Sequence, residues 1–447
     1  MKKEWLLVVV SVSLTLIIAL TLVRWFAPQL LGLPVDLQMV QVAKEVPPFF
    51  DGIFRPEDYA SQEYIIQDPY IKRAKPLFPR FLGIGPNDLL GFRNRNVPNI
   101  ADIITIGDSQ TYGNNAFVEQ NWPSILAESM THNSSILYNM SVGGWGATEY
   151  FEIFNKALYL QPEVVIVAFY TGNDPLETFY RIYGDDRWKS LRLNPDIKAS
   201  DAPTLEMPLP DSSFWNVQFN DGTETILTPN LRYLSNKRNH PAVMVGYEIM
   251  GEIARKMGEI AEKNKIKLVF TIIPTKELAF KKKIMTENII PREDYTDLVN
   301  DEEKNILAFT EKLKKIPGSV YVDLIDSLQQ GVLDSQQIYP SDQDGHPFAG
   351  GYKLIGETLQ HEVVKLLPDK LNGLFFAPYS IKDDKYRPFL VKNSHFYIFT
   401  SKRILKENGW TEENMTKVDL RAISKLSFGG FINTVEPALY GPIAFKK

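Results

Sequence analysis

Four short stretches carry residue types that together could transfer an acyl group. They are Gly107-Asp108-Ser109, the glycine-dense Ser141-Val142-Gly143-Gly144-Trp145-Gly146, Thr171-Gly172-Asn173-Asp174-Pro175 and Asp342-Gln343-Asp344-Gly345-His346-Pro347. A serine hydroxyl is a weak nucleophile until a base lies within hydrogen-bond reach. An imidazole supplies that base when a carboxylate fixes its tautomer and steadies the imidazolium. A tetrahedral oxyanion then needs preorganised donors. The assignment is Ser109 as nucleophile and His346 as general base and then acid. Asp344 orients the ring, with Asp342 as the alternate acid. The backbone N–H groups of Ser109 and Gly144, with the Asn173 side chain, form the oxyanion hole. No metal or cofactor is expected.

These stretches must be carried by elements that share an edge. After Asp102, the four apolar or β-branched residues Ile103 to Ile106 run into the serine turn, as a buried parallel strand would. Ile136 to Met140 ends before the glycines, and Val164 to Tyr170 ends before Asn173. Lys267 to Pro274 and Ser319 to Ile325 read as two further strands. Helical spacing lies between them. Trp122 to Met130 has Asn121 as cap and Pro123 in its first turn. Ala147 to Leu160 follows. Ile249, Ile253, Met257 and Ile260 mark another helix, and Asp301 is expected to cap one that carries Ile306, Phe309 and Leu313. Ile355, Leu359, Val363 and Leu366 mark the last. Alternation of this kind predicts a three-layer α/β/α domain with a five-stranded parallel sheet over residues 100–368.

The ordered set Gly107-Asp108-Ser109, Gly144, Gly172-Asn173-Asp174 and Asp344-x-His346 resembles the four blocks of the SGNH, or GDSL-type, hydrolase family. The resemblance covers about 100–175 and 245–368. It implies a flavodoxin-like sheet, ester hydrolysis without metal and the residue roles above. Two departures stand out. Gln110 follows the serine where the family has Leu or Phe, and Gln343 occupies the usual acid position three residues before the histidine. The expected activity is therefore hydrolysis of an O-acyl ester. An O-acyltransferase with the same residues, and a catalytically silent scaffold that binds glycan or protein, are the alternatives.

The rest of the chain sets the context. Its 447 residues are 44% hydrophobic and 23% charged, which are ordinary globular values. There is no cysteine, so disulfides and thiolate chemistry are excluded. A net charge of −5, with no basic run longer than Lys281-Lys282-Lys283, argues against a nucleic-acid partner. Residues 5–23 are uncharged and would span roughly 28 Å as a helix at about 1.5 Å per residue. Arg24-Trp25-Phe26 follows in place of a cleavage site, so residues 1–26 are expected to be a cytoplasmic stub and single-pass membrane anchor. Lys2 and Lys3 put the amino terminus in the cytoplasm and the catalytic domain outside it, facing an acylated envelope carbohydrate or lipid. Residues 27–99 read as an irregular, proline- and aromatic-rich lead-in. Residues 176–240 read as an insertion, either a substrate wall or a surface elaboration, with a hairpin around Asn220-Asp221-Gly222. Residues 371–447 form a C-terminal extension of unassigned role. Asn-x-Ser/Thr triplets at Asn133, Asn139 and Asn414 are read as coincidental. Lys276 and Glu277, near the same edge, are read as a helix start, with a substrate contact as the alternative, and His132, His240, His361 and His395 as ordinary histidines.

Overall fold

The computed structural model describes residues 58, 61–68, 70–98, 101–130, 135–204 and 208–367, and the segments 373–380, 383–392, 395–399, 401–407, 416–417 and 427–432. The expected anchor at 5–23, the stub and its orientation, the lead-in before 58 and the triplets at Asn133 and Asn414 lie outside the described residues. Among the described residues no helix is long and apolar enough to cross a membrane.

Five parallel strands make the central sheet: β1 (Ile103–Gly107), β2 (Leu137–Ser141), β3 (Val164–Tyr170), β4 (Lys267–Ile273) and β5 (Ser319–Val322). Their order is β2-β1-β3-β4-β5. The register pairs Gly107 with Ser141 and Ile103 with Val164, so β1, β2 and β3 end close together. Every residue of β3 is buried, because helices cover both faces. On one side lie α2 (Trp122–Ser129) and α10 (Ala349–Leu366), packed on each other. The other side carries α3 (Ala147–Ala157), α4 (Asp174–Gly184), α6 (Pro241–Asn264) and α8 (Glu293–Leu313). This strand order has its topological switch point beside β1, between β1 and β3, where open α/β sheets keep their ligands.

Several expected boundaries move. Asp301 does not cap a helix, since α8 begins eight residues earlier. Its buried stripe runs through Tyr295, Leu298, Glu302, Asn305 and Phe309, and the polar Glu302 and Asn305 hide that continuity from a hydrophobic pattern. Asp301 instead accepts from the Tyr233 hydroxyl and the Arg238 N–H, each at 3.2 Å. The fifth strand stops at Val322, and Asp323 accepts from the Ile325 N–H at 2.8 Å to open α9 (Ile325–Leu333). The supposed insertion opens with α4, which buries Phe179 and Ile182 against the domain. Further on, Trp215–Gln218 pairs with Glu224–Leu227 in the expected hairpin.

The lead-in is the largest departure. Residues 70–98 pack into the core, with Ile71, Leu90 and Phe92 buried. Arg93 is 1% exposed and donates to the carbonyls of Gly85 (2.8 Å), Tyr112 (3.2 Å), Ala116 (2.8 Å) and Gly113. Buried Asp88 accepts from the Tyr138 hydroxyl at 2.7 Å and from the N–H groups of Leu90 and Phe92. Proline and aromatic content marks this segment as irregular, but its backbone polar groups find partners in side chains and in other backbone groups, as where the Leu77 N–H donates to the Asp88 carbonyl at 3.0 Å.

The C-terminal segment forms its own five-stranded sheet. Gly373–Ser380, Asp383–Lys392 and His395–Phe399 run antiparallel, flanked by Thr416–Lys417 and Ser427–Ile432.

Arg93→Met should leave four carbonyls of the 85–116 region without their donor. A charged hydrogen-bond network of this kind predicts a loss of about 3 kcal/mol or more, read from the urea midpoint at constant m-value.

Candidate active site

β1 is apolar up to Gly107 and then turns abruptly into α1 (Ser109–Tyr112), a single helical turn. Asp108 caps it, its Oδ1 accepting from the Gln110 N–H at 2.9 Å. Gly113 closes it in the left-handed region. Ser109 is thus the first residue of a rigid turn at the switch point of the sheet.

His346 reaches it from a loop between α9 and α10. His346 Nε2 lies 2.8 Å from Ser109 Oγ, and Nδ1 lies 2.6 Å from Asp344 Oδ1. The same carboxylate oxygen accepts from the His346 backbone N–H at 2.9 Å. With Nδ1–H donating to Asp344, Nε2 is the free acceptor facing the hydroxyl. Asp342 does not touch the ring; its Oδ1 accepts from the Asp344 N–H at 2.9 Å. Asn115 Nδ2 donates to the His346 carbonyl at 3.3 Å, and Gln110 Nε2 to the Gly345 carbonyl at 3.4 Å. Gln110, where the resemblance leads one to expect Leu or Phe, therefore ties the serine turn to the histidine loop.

Two further segments border the serine. A side chain at Gly143 would lie 3.5 Å from Ser109 Cβ, so the glycine turn after β2 runs along the nucleophile. Gly144 has φ +73°, a backbone that favours glycine. Its carbonyl accepts from Lys72 Nζ at 3.0 Å, and Trp145 Nε1 donates to the Lys72 carbonyl at 2.8 Å. The lead-in thus staples this turn in place. Asn173 occupies the N-cap of α4, where asparagine ordinarily caps, yet its side chain makes no cap bond and its buried Oδ1 has no partner. That amide is not spent on the helix.

The surroundings are strongly charged. Burial raises Asp108 to about 6, opposed by the Gln110 N–H and by nearby His346. Burial and the Asp108 carboxylate push Asp174 well above the ordinary range, although it accepts from Tyr150 at 3.0 Å and the Tyr170 N–H at 2.8 Å. For Asp344 burial acts upward too, but the bonds and charge of His346 prevail and hold its carboxyl well below the usual range. Among the described residues no group of three or more His, Asp or Glu is placed to hold a metal ion.

Sequence reasoning missed Arg232 and did not foresee the bonds that Lys276 makes. Lys276 is both the expected helix start, opening α7 (Lys276–Thr286) behind the Thr275 cap, and a buried contact of the histidine loop. Arg232, on the short helix α5 (Pro229–Tyr233), sits so near Gly345 that a Cβ there would meet its Nη2 at 2.9 Å. Nothing in the local sequence around Arg232 signals this. Of the other histidines, His240 is the N-cap of α6 and is kept below its ordinary pKa by burial, while His395 lies in the C-terminal sheet and His361 on α10.

No family model matches the chain, and no curated protein does. Solved structures do resemble it. A G-D-S-L family protein of lipolytic type from Desulfitobacterium hafniense is 16% identical, with 59% of this chain and 98% of that one covered and a TM-score of 0.32. A GDSL-like lipase from Bacteroides thetaiotaomicron is 12% identical, covering 59% and 88% at a TM-score of 0.30. The acetylxylan esterase Axe2 from Geobacillus stearothermophilus, as a serine mutant, is 9% identical, covering 60% and 95% at a TM-score of 0.32.

The two aspartates make a direct comparison. Asp344→Asn should cut turnover of p-nitrophenyl acetate by about 10³–10⁴, because an amide no longer fixes the productive tautomer. Asp342→Asn should cost less than about tenfold. The reverse ranking would exclude Asp344 as the orienting group.

Proposed function

We propose that this chain is a serine esterase that hydrolyses an O-acyl ester, held at a membrane by its N-terminal apolar run. The observation that carries the reading is the unbroken series Ser109 Oγ, His346 Nε2, His346 Nδ1, Asp344 Oδ1, with steps of 2.8 and 2.6 Å. Distances of this length support proton transfer from the hydroxyl to the imidazole.

In the first half-reaction His346 Nε2 takes the hydroxyl proton as Ser109 Oγ bonds to the acyl carbon. Negative charge moves to the former carbonyl oxygen. The Ser109 and Gly144 N–H groups and the uncommitted Asn173 amide are its donors. Collapse breaks the ester C–O bond, and the imidazolium returns its proton to the departing alcohol oxygen. In the second half-reaction a water gives a proton to Nε2 and attacks the acyl-serine, releasing the carboxylic acid and the free hydroxyl. Asp344 stays ionised throughout and steadies the imidazolium.

An apolar run at 5–23, flanked by Lys2 and Lys3 on one side and Arg24 on the other, supports an extracytoplasmic catalytic domain. An acylated carbohydrate or lipid of the cell envelope would then be the substrate.

A fluorophosphonate should label Ser109, and p-nitrophenyl acetate should turn over, each lost by at least about 10³ in Ser109→Ala and His346→Ala. A wild-type protein that is neither labelled nor active would exclude the esterase. Consumption of the acyl donor only when a glycan acceptor is added would make it a transferase instead.

A further inference from the structure

The loop that carries Asp344 and His346 has no regular structure of its own. Its carbonyls nevertheless find partners from two other parts of the chain. Lys276 is 1% exposed, and its Nζ lies 2.7 Å from the Pro340 carbonyl, 2.6 Å from Asp342, 3.4 Å from Asp344 and 3.2 Å from Ile226. Three of these oxygens belong to the histidine loop and the fourth to the hairpin. The hairpin also pairs directly with the loop: the Ile226 N–H donates to the Ser341 carbonyl at 2.8 Å, and Thr225 Oγ1 to Pro340 at 3.4 Å. Glu277, next to Lys276, accepts from the Thr228 N–H at 2.7 Å and so fastens the far end of the hairpin to α7.

We propose that Lys276 is a positioning residue, which sets the Asp344–His346 loop against Ser109 by gathering its carbonyls around one ammonium, with the hairpin at 215–227 as its buttress. The inference rests on the esterase reading for its effect on rate. An ammonium has three donors and no acceptor, so it can satisfy several carbonyls that would otherwise be buried without partners. It touches no reacting atom. Its contribution is alignment, and a displacement on the order of 1 Å in a catalytic group costs about 10²-fold in rate. The part of 176–240 that pairs with the loop then has a definite role: it is a support for the catalytic base.

Raising the pH does not loosen this arrangement. The groups facing Lys276 are Glu277 on its own helix, Asp342 and Asp344 on the loop, and Arg232 on α5. Burial lowers Lys276 to about 8, only partly offset by the three carboxylates. The folded value lies below the unfolded one, so between about 8 and the ordinary lysine range the unfolded chain binds more protons. This group's contribution to stability therefore rises with pH in that window. Opening of the loop alone, which would return Lys276 to water, is opposed there for the same reason.

The test uses the full chain at pH 7 and three readouts: fluorophosphonate labelling of Ser109, thermal unfolding, and backbone hydrogen exchange of residues 341–346. Lys276→Met should lower kcat by about 10²-fold at pH 7 with KM within about threefold, and should speed exchange in the loop. Lys276→Arg keeps a cation with several donors, so it should recover most of the rate; it carries the test if the methionine variant does not fold. A folded arginine variant about 10²-fold slower than wild type, or a folded methionine variant with wild-type kcat and exchange, would overturn the proposal. Wild-type protein that takes no label refutes the esterase reading instead, and the exchange of the loop still decides the role of Lys276.

Discussion

A 2.8 Å approach between His346 and Ser109, 237 residues apart, is the contact on which the arrangement depends. It is made possible by a constraint of parallel sheets. All strands run the same way, so every strand ends on one edge, and the chain must return by a crossover before it adds the next. Serine, glycine turn and asparagine each follow the end of a different strand. The histidine comes later, from a loop that leads into α10, and only packing can bring it across.

That packing relies on buried cations that bind carbonyl oxygens. Arg93 collects those of the segments on either side of the serine turn, and Lys276 those of the histidine loop. Irregular chain inside a protein carries backbone groups that no helix or ladder satisfies, and leaving them bare costs more than a hydrogen bond returns. A guanidinium or ammonium with several donors meets that need in a small volume. The two sides of the candidate site are built on one principle, though one support comes from the N-terminal lead-in and the other from α7 and the hairpin.

Electrostatics around the serine is correspondingly uneven. Asp108 and Asp174 are buried beneath it and have raised pKa values, which disfavours charge there, while Asp344, half-exposed and bonded twice to His346, is held ionised. Carboxylates that differ so much in environment take different tasks. Asp108 caps its own turn and Asp174 organises Tyr150 and the end of β3. Asp344 is the carboxylate bonded to the His346 ring.

The sequence by itself determined the parts whose signal is local. Runs such as Val164 to Tyr170 declare buried strands, Asn121 and Pro123 declare a helix start, and Asn220-Asp221-Gly222 declares a hairpin, because backbone sterics and capping act within a few residues. Ser109, Gly144 and Asn173 were legible for the same reason, as each follows a strand end, whereas Asp344 and His346 lie beyond α9 and were legible only from their spacing. What the tertiary structure alone decided is which groups meet across the chain. It brought Asp344 rather than Asp342 to the ring, took residues 70–98 into the core, carried α8 through a polar stripe that conceals its length, and put Lys276 and Arg232 beside a loop far away in sequence. Burial and long-range hydrogen bonding settle such choices. They depend on the distance between groups in the folded chain, which a linear pattern does not encode.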